Sequence, residues 1–345
     1  MRIWAAVALA VVVTACGSSR PQTAFSPTVT SATPSPVAIK PSLAGLLDRD
    51  GPPPAPYASV FGGFVVNVQW SDVQPTPGAE IPNGNPIDRA IDLLHQSDPS
   101  GRQGLKVRLF AGIHAPLWAK SLGGAPIPVI DPVTGASGTV GRFWSAEFGS
   151  AYDDLMSKLA AKYDSAPEVR EVTISRCTTV YAEPFIRDAA DADTVQNLLA
   201  AGYTVAADQQ CHRDQIAAHQ VWRHTRSDLS FNPYQLMGGQ ARTDETFTEQ
   251  MMELCRSVLG SRCVLANNSL RVPLQFPVMY DRIMALGPPI TFQTAVLAKV
   301  GDLRATLDTA IALGAGSVEL PGGFQEVDPS QLADYNRRLA GQAIG

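Results

Sequence analysis

The sequence predicts an α/β fold in which eight parallel strands close into a (β/α)8 barrel, the TIM-barrel class. Short apolar runs that suit strands alternate with longer helical patterns, which is typical of β/α units and a parallel sheet. The alternation extends over about 300 residues, a length that suits one such barrel. A doubly wound open sheet is the alternative, but no Gly-rich phosphate loop follows an early strand, which counts against its nucleotide-binding forms.

Seven runs have the apolar composition of buried strands, and one further run is weaker. The seven are Phe64–Trp70, Leu105–Ile113, Val169–Arg176, Asp228–Asn232, Cys263–Asn267, Ile290–Thr294 and Ser317–Leu320. The weaker run, Ser42–Leu47, would supply the remaining strand and close the barrel.

Helical patterns separate these runs. They cover Ile87–His95, Ser145–Tyr163, Val195–Ala201, Asp214–Thr225, Asp244–Leu259, Val278–Leu286, Asp302–Leu313 and Gln331–Ala340. Asp244 and Asp302 are expected N-caps, because their side chains can accept hydrogen bonds from the free amides of a first turn. Gly314 follows the Asp302 helix as a C-terminal stop.

The amino terminus has the pattern of an exported lipoprotein. Arg2 precedes an apolar run, Ile3–Val13, that is too short to span a membrane and is interpreted as part of a signal peptide. The segment Val13–Cys16 resembles the bacterial lipobox, in which the cysteine is acylated and the chain is cut before it. An ordinary secretory signal with a free cysteine is the alternative.

This pattern divides the chain into three segments. Residues 1–15 are a predicted signal peptide, residues 16–41 a Ser/Thr/Pro-rich tether that cannot bury a core, and residues 42–345 a single barrel domain. Two or more acyl chains on Cys16 would anchor the protein stably. We therefore expect a location at the extracytoplasmic face of the cell membrane, with the membrane contacted through this anchor.

Charge and cysteine content narrow the class of partner. The formal charge of −5 shows no basic stripe, so nucleic acid is not an expected partner.

Beyond Cys16 the chain has four cysteines, an even number that favours disulfides in an exported protein. We pair Cys255 with Cys263 and Cys177 with Cys211. Metal binding is the competing interpretation, but no C-x-x-C or His cluster supports it; we expect no metal, no cofactor and a monomer.

The residues at the carboxyl ends of the strands are the candidates for chemistry, because a (β/α)8 barrel builds its site there. Amides, carboxylates and aromatic rings occur at nearly every such position, which suits a sugar with its hydroxyl groups and C–H faces. The expected catalytic residues are Glu183 and Glu319. The expected substrate-binding residues are Trp70, Asp72, His114, Trp118, Tyr181, Asn232, Tyr234 and Gln293.

Several of these residues have a structural alternative. Trp70 and Trp118 could pack the top of the barrel, and Tyr234 could close a turn. His114 could be a buried, hydrogen-bonded histidine. Asp72 could cap the following turn through its side chain.

Three segments carry a resemblance to a known family. They are Gly63–Gly78, Asn85–Leu94 and Gly104–Ala119, and the first contains a Trp-Ser-Asp-x-x-Pro-x-x-Gly sequence. Together they resemble the early barrel of clan A glycoside hydrolases, particularly the bacterial β-galactosidase-like and cellulase-like families. The resemblance covers roughly residues 57–324 and implies a carbohydrate substrate.

The resemblance also implies roles for two strand-end residues. Members of this clan place the acid/base Glu after strand 4, usually in Asn-Glu-Pro, and the nucleophilic Glu at the end of strand 7. The first position maps onto Glu183, with Ala182 replacing Asn, and the second onto Gln293. A Gln cannot form the covalent glycosyl-enzyme of the retaining mechanism.

Three functional interpretations remain open from the sequence. In the first, Glu319 on strand 8 supplies the second carboxylate and the pair hydrolyses a glycosidic bond. In the second, the chain is a non-catalytic glycan-binding or cell-envelope protein on a degenerate hydrolase barrel. In the third, an unrelated chemistry uses the same end of the barrel.

Overall fold

Eight parallel strands form a closed barrel in the computed structural model, which describes residues 38–237 and 242–343. In chain order they are β1 (Gly45–Asp48), β2 (Gly63–Gln69), β3 (Gly104–Phe110), β4 (Val169–Thr173), β5 (Arg226–Ser230), β6 (Cys263–Leu270), β7 (Ile290–Thr294) and β8 (Ser317–Leu320). Each strand pairs with the next, and β8 pairs with β1. The (β/α)8 prediction is confirmed, and closure excludes the open sheet.

Helices connect the strands. They are α1 (Trp70–Val73), α2 (Pro86–Ser97), α3 (Leu117–Lys120), α4 (Ala146–Tyr163), α5 (Ala192–Ala200), α6 (Val205–Ala218), α7 (Glu245–Leu259), α8 (Pro277–Leu286), α9 (Leu297–Val300), α10 (Leu303–Ala312) and α11 (Pro329–Ala340). Single 3-10 turns cover Ala55–Tyr57, His219–Val221, Gly260–Arg262 and Phe324–Glu326. The expected caps are confirmed: the Asp244 side chain accepts from Phe247 N, and that of Asp302 accepts from Arg304 N.

One predicted helix is displaced from its observed position. The sequence predicts a helix over Asp214–Thr225, whereas α6 spans Val205–Ala218, with the Thr204 side chain capping its first turn. This helix buries Asp208, His212 and Gln215. Because polar residues interrupt its buried face beside Cys211 and Ile216, apolar periodicity could not locate it.

Two antiparallel hairpins were not predicted. One, Ile127–Ile130 with Ser137–Val140, follows β3, and the other, Tyr234–Leu236 with Arg242–Asp244, follows β5. Both lie in loops at the carboxyl end of the barrel, which we call the mouth. The hairpin after β3 brings Asp131 and Thr134 to the loop that follows β4.

The interior of the barrel carries charge, and the apolar core lies between the strands and the helices. Side chains alternate across each strand, so Lys106 and Arg108 of β3 point inward while their neighbours Val107 and Leu109 join the outer apolar layer. Lys106 Nζ lies 2.6 Å from Asp228, 3.1 Å from Glu171 and 2.9 Å from Glu319. These buried charges hold one another inside the barrel, as burial of ions requires.

Both predicted disulfides are present. Cys177 pairs with Cys211, with their Cα atoms 6.1 Å apart, and Cys255 pairs with Cys263, with their Cα atoms 5.7 Å apart. The first joins the loop after β4 to α6, and the second joins α7 to the start of β6. The disulfide in the β4 loop restrains the segment that carries Glu183.

The predicted signal peptide, Cys16 and the tether up to residue 37 lie outside the described residues. At the start of the described chain, Lys40 Nζ donates to Val169 O at 2.7 Å and to Thr225 Oγ1 at 2.8 Å. Both acceptors lie where strands begin, so the chain joins the barrel at the end opposite the mouth. Within residues 38–237 and 242–343, no helix combines the length and the hydropathy that a membrane span requires.

Candidate functional site

Glu183 lies in the loop after β4 and faces the mouth. Asn232, just beyond β5, donates from Nδ2 to Glu183 Oε2 at 3.0 Å. Burial raises the pKa of Glu183, while the hydrogen bond from Asn232 and the charge of Arg108 oppose this shift. A carboxyl group with a raised pKa can keep its proton closer to neutral pH, as a proton donor requires.

A chain of hydrogen bonds across three strands orients Asn232. Tyr280 OH donates to Asn267 Oδ1 at 2.7 Å, and Asn267 Nδ2 donates to Asn232 Oδ1 at 3.2 Å. Because the Asn232 oxygen is occupied, its amide group is directed to Glu183. The position of the Glu183 carboxyl group therefore depends on buried residues of β6 and α8.

A cavity of about 390 Å³ surrounds Glu183 at the mouth. Asn268 and Gln293 contribute amides to its wall, and Tyr181 contributes a partly exposed ring. Gln293 Nε2 donates to Asn268 O at 3.3 Å. The structure thus brings together four of the residues predicted from the sequence: Tyr181, Glu183, Asn232 and Gln293.

Two further carboxyl groups, Asp131 and Asp188, line the same cavity. Asp131 is held by Thr134 Oγ1 at 2.5 Å and Tyr181 OH at 3.2 Å; although burial acts in the opposite direction, these and neighbouring hydrogen bonds lower its pKa. Asp188 accepts from Thr179 at 2.7 Å, and burial raises its pKa to about 6. Asp188 also has a φ of 54°, a left-handed backbone that a non-glycine residue rarely adopts.

A buried network holds the loop that carries Glu183. Arg187 donates to both oxygens of Asp208, at 2.7 and 2.8 Å, and to Pro184 O. Tyr203 and Tyr234 donate to the same Asp208 at 2.6 and 2.8 Å. The charged pair lowers the pKa of Asp208, against the effect of burial. This network fixes the turn directly after Glu183 and does not face the mouth.

The structure does not place Glu319 at the mouth. Its carboxylate is completely buried inside the barrel, where Lys106 Nζ contacts Oε1 and Arg108 Nη2 contacts Oε2. Burial would raise the pKa of Glu319, but these two cations lower it to about 2. Both carboxylate oxygens are already engaged, so in this arrangement Glu319 serves as a structural counter-ion and not as a nucleophile or base.

Two predicted substrate-binding aromatics lie in the core instead of the mouth. Trp70 is completely buried, packs edge-on against Trp118 and Phe148, and donates to Gln74. Tyr234 is also completely buried and belongs to the Asp208 network. Trp70 directly follows β2 and Tyr234 lies four residues beyond the end of β5, but their side chains point to the helix layer. Neither is available to stack on a ligand.

Three other predicted binding residues lie near the loop after β3 and not in the cavity around Glu183. Trp118 is half-buried and donates to Gln74 O at 3.2 Å. His114 is half-buried against Phe110; burial and the charge of Lys120 lower its pKa, while Asp72 raises it. Asp72 is exposed. These residues could contact only a ligand that extends beyond this cavity.

Sequence reasoning did not identify three charged residues near the mouth: Arg108, Asp188 and Arg49, which directly follows β1 and donates to Thr294. The sequence did contain an indication of the position of Arg108. Lys106 and Arg108 are two residues apart in an otherwise apolar strand, so their side chains share one face of it, and that face is the barrel interior. No pattern marked Asp188. Among the described residues, no group of three His, Cys, Asp or Glu side chains could hold a metal ion.

Comparison with known proteins shows the fold. No protein-family model matches this sequence, and no curated protein matches it. The catalytic domain of the β-amylase of Paenibacillus polymyxa aligns with a TM-score of 0.51 and 10% identity, over 87% of this chain and 99% of that one. Endo-glycoceramidase II of Rhodococcus sp., in a ganglioside GM3 complex, aligns with a TM-score of 0.50 and 14% identity, over 84% and 76%. The chain therefore shares the closed (β/α)8 barrel fold of these two structures.

Proposed function

We propose that this protein binds a poly- or oligosaccharide at the mouth of the barrel, through Glu183. The pairing of Glu183 with Asn232, in a cavity shared with the amides of Asn268 and Gln293, is the observation that carries the proposal. Carboxyl and amide groups offer the paired donors and acceptors that sugar hydroxyls need. Two solved structures with the same fold are a β-amylase catalytic domain and an endo-glycoceramidase in a ganglioside GM3 complex, which supports a sugar ligand.

The geometry favours binding over the retaining hydrolysis that the resemblance implies. Retaining hydrolysis needs a second, nucleophilic carboxylate about 5 Å from the acid. The strand-7 position holds Gln293, and Glu319 is engaged by Lys106 and Arg108. Glu183 then acts as a hydrogen-bond donor and acceptor to the bound sugar.

A second candidate function is hydrolysis through an activated water, and Asp188 is the observation that favours it. Asp188 lines the same cavity, and its pKa of about 6 leaves it largely ionised at neutral pH. In this scheme Glu183 gives its proton to the glycosidic oxygen while Asp188 takes a proton from the attacking water. The hydroxyl oxygen bonds to the sugar carbon as the glycosidic bond breaks, which inverts that carbon.

The proposal extends to the location of the protein. Lipidation at Cys16 would hold it at the extracytoplasmic face of the membrane, and the two disulfides support an oxidising compartment. Labelling with a fatty-acid probe tests this location: wild type should incorporate the label and Cys16→Ser should not.

The functional proposal is tested with soluble protein that begins within the tether, before residue 38. We would measure glycan retention on a polysaccharide panel and product release from the same panel. Wild type should retain at least one glycan, Glu183→Ala and Asn232→Ala should weaken retention, and Glu253→Gln on the outer face of α7 should not. Product release abolished by Glu183→Gln and by Asp188→Asn would establish hydrolysis. No retention and no release would refute both functions.

A further inference from the structure

Two arginines lie at the mouth on the side formed by the first three strands. Arg49 directly follows β1, and Arg108 is in β3. Burial lowers the pKa of Arg49, Glu319 opposes this, and the charge of Arg108 lowers it further. Arg49 donates to Thr294, whose hydroxyl donates to the Glu319 carbonyl, and Arg108 contacts the Glu319 carboxylate, so both guanidinium groups lie near Glu319. Cations held this close need an anion between them or beside them.

Among the described residues, a carboxylate pairs with Arg108 but none pairs with Arg49. Glu319 gives one oxygen to Arg108 and the other to Lys106. Arg49 Nη2 donates to the carbonyl and hydroxyl oxygens of Thr294, while its buried Nε has no hydrogen-bond partner in the described parts of the chain. No carboxylate there forms an ion pair with Arg49. The half-buried guanidinium of Arg49, without a carboxylate ion-pair partner, can take an anionic ligand.

The arginine pair acts on the same region of the mouth as Glu183. Arg49 donates to Thr294, whose chain neighbours Gln293 and Ala295 both line the cavity around Glu183. Asn67 of β2 lies in register with Arg108, is exposed, and adds an amide between the two arginine-bearing strands. Cationic groups, an amide and the Glu183 carboxyl group therefore meet at one end of the barrel.

We propose that the mouth takes a glycan with an anionic substituent, and that Arg49 and Arg108 bind this substituent beside the sugar contacted by Glu183. The inference rests on the proposed carbohydrate binding. A guanidinium matches carboxylate and sulfate with two parallel hydrogen bonds, which neutral sugars do not use. Glu183 in its protonated form donates to the ligand, whereas its ionised form repels an anion. Asp131 and Asp188 line the same cavity, and Asp188, with a pKa of about 6, also repels an anion when it is ionised, so affinity rises as the pH falls through the pKa values of Asp188 and Glu183.

The test compares ligands that differ only in charge. We would measure calorimetric affinities for uronic-acid oligosaccharides and for their carboxyl-reduced counterparts, at low salt. A second pair, sulfated oligosaccharides and their desulfated forms, distinguishes the two anionic groups. The charged member of one pair should bind at least about tenfold more tightly, because charge-assisted hydrogen bonds contribute more than neutral ones. Added salt should reduce this preference.

Matched variants test whether the arginines cause the preference for charged oligosaccharides. Arg49→Gln should remove most of the charge preference, Arg49→Lys should retain part of it, and Arg337→Gln on the exposed face of α11 should leave it unchanged. Arg108→Lys keeps a cation over Glu319 and should lower the preference without unfolding the protein, which thermal unfolding checks.

The outcomes separate the two proposals. Equal affinity for charged and neutral members of every pair, or a preference that survives Arg49→Gln, would overturn the anionic inference and leave carbohydrate binding intact. No binding of any oligosaccharide, charged or neutral, would overturn both. A preference for the neutral members would also exclude an arginine-bound substituent.

Discussion

Glu183 and Glu319 both come from the carboxyl halves of barrel strands or the loops after them, yet different groups contact their carboxyl groups. Glu183 receives a hydrogen bond from the neutral amide of Asn232, and burial raises its pKa. Glu319 lies between two cations, and its pKa falls to about 2. The position of a carboxylate along the barrel axis therefore does not define its role. The charge of the groups packed against it does.

The largest expected effect is the loss of stability in Glu319→Gln. The substitution leaves Arg108 without its carboxylate partner and weakens the group around Lys106. Removing one partner of a buried ion pair costs about 3–5 kcal/mol. Urea unfolding at pH 7 measures this, with Glu326→Gln in an outer turn as the control. A loss of stability below about 1 kcal/mol would show that the ion pairs of Glu319 do not stabilise the barrel.

The same comparison predicts how the stability of the protein changes as the pH falls. The folded-state pKa of Glu319 is depressed, so its contribution to stability is complete above the unfolded value of 4.5 and is lost as the pH falls toward 2. Urea midpoints measured from pH 6 to pH 2 should fall less steeply in Glu319→Gln than in wild type. Parallel curves for the two proteins would contradict the proposed ion pairing.

The two disulfides give a smaller contrast. Cys177–Cys211 closes a separation of 34 residues and restrains the Glu183 loop, whereas Cys255–Cys263 closes a separation of 8 on the outer layer. Loop-closure entropy predicts losses of about 4 and about 2.5 kcal/mol on removal by double Cys→Ser substitution. Thermal unfolding measures both. Glycan retention, compared below the unfolding temperatures, should weaken only in the first variant; equal retention would show that the loop does not depend on its disulfide.

The sequence was sufficient to predict the barrel, the disulfide pairs and the location of Glu183, because each depends on local composition and on the order of elements. It was not sufficient to predict where the side chains of Glu319, Trp70 and Tyr234 point. A one-residue change in the phase of a short strand moves a side chain from the mouth or interior to the helix layer. The counter-ions of Glu319 come from β3, 211 residues earlier in the chain for Arg108, and no local pattern encodes that meeting.

Glu183→Gln is expected to change stability little and in the opposite sense from Glu319→Gln. A raised folded-state pKa means that ionising Glu183 costs stability, so wild type should lose stability relative to the Gln variant as the pH rises from 4.5 through the folded pKa. At pH 8 the variant should be more stable by about 0.5–1 kcal/mol, as is common when a functional site is neutralised. Urea unfolding at pH 4 and pH 8 measures the sign. A variant less stable than wild type at pH 8 would give Glu183 a structural role like that of Glu319.

The smallest expected effect is a change in the pKa of Glu183 when Asn232 is replaced in Asn232→Ala. The amide of Asn232 donates to the carboxyl group and favours its ionised form, so removing it should raise the Glu183 pKa further. Carbon-13 NMR of the Glu183 carboxyl carbon follows this titration directly. Thr134→Ala, which removes a partner of Asp131 in the same cavity, is the matched control and should leave the Glu183 titration nearly unchanged. An unchanged or lower pKa in Asn232→Ala would mean that Arg108, and not the amide, opposes burial at Glu183.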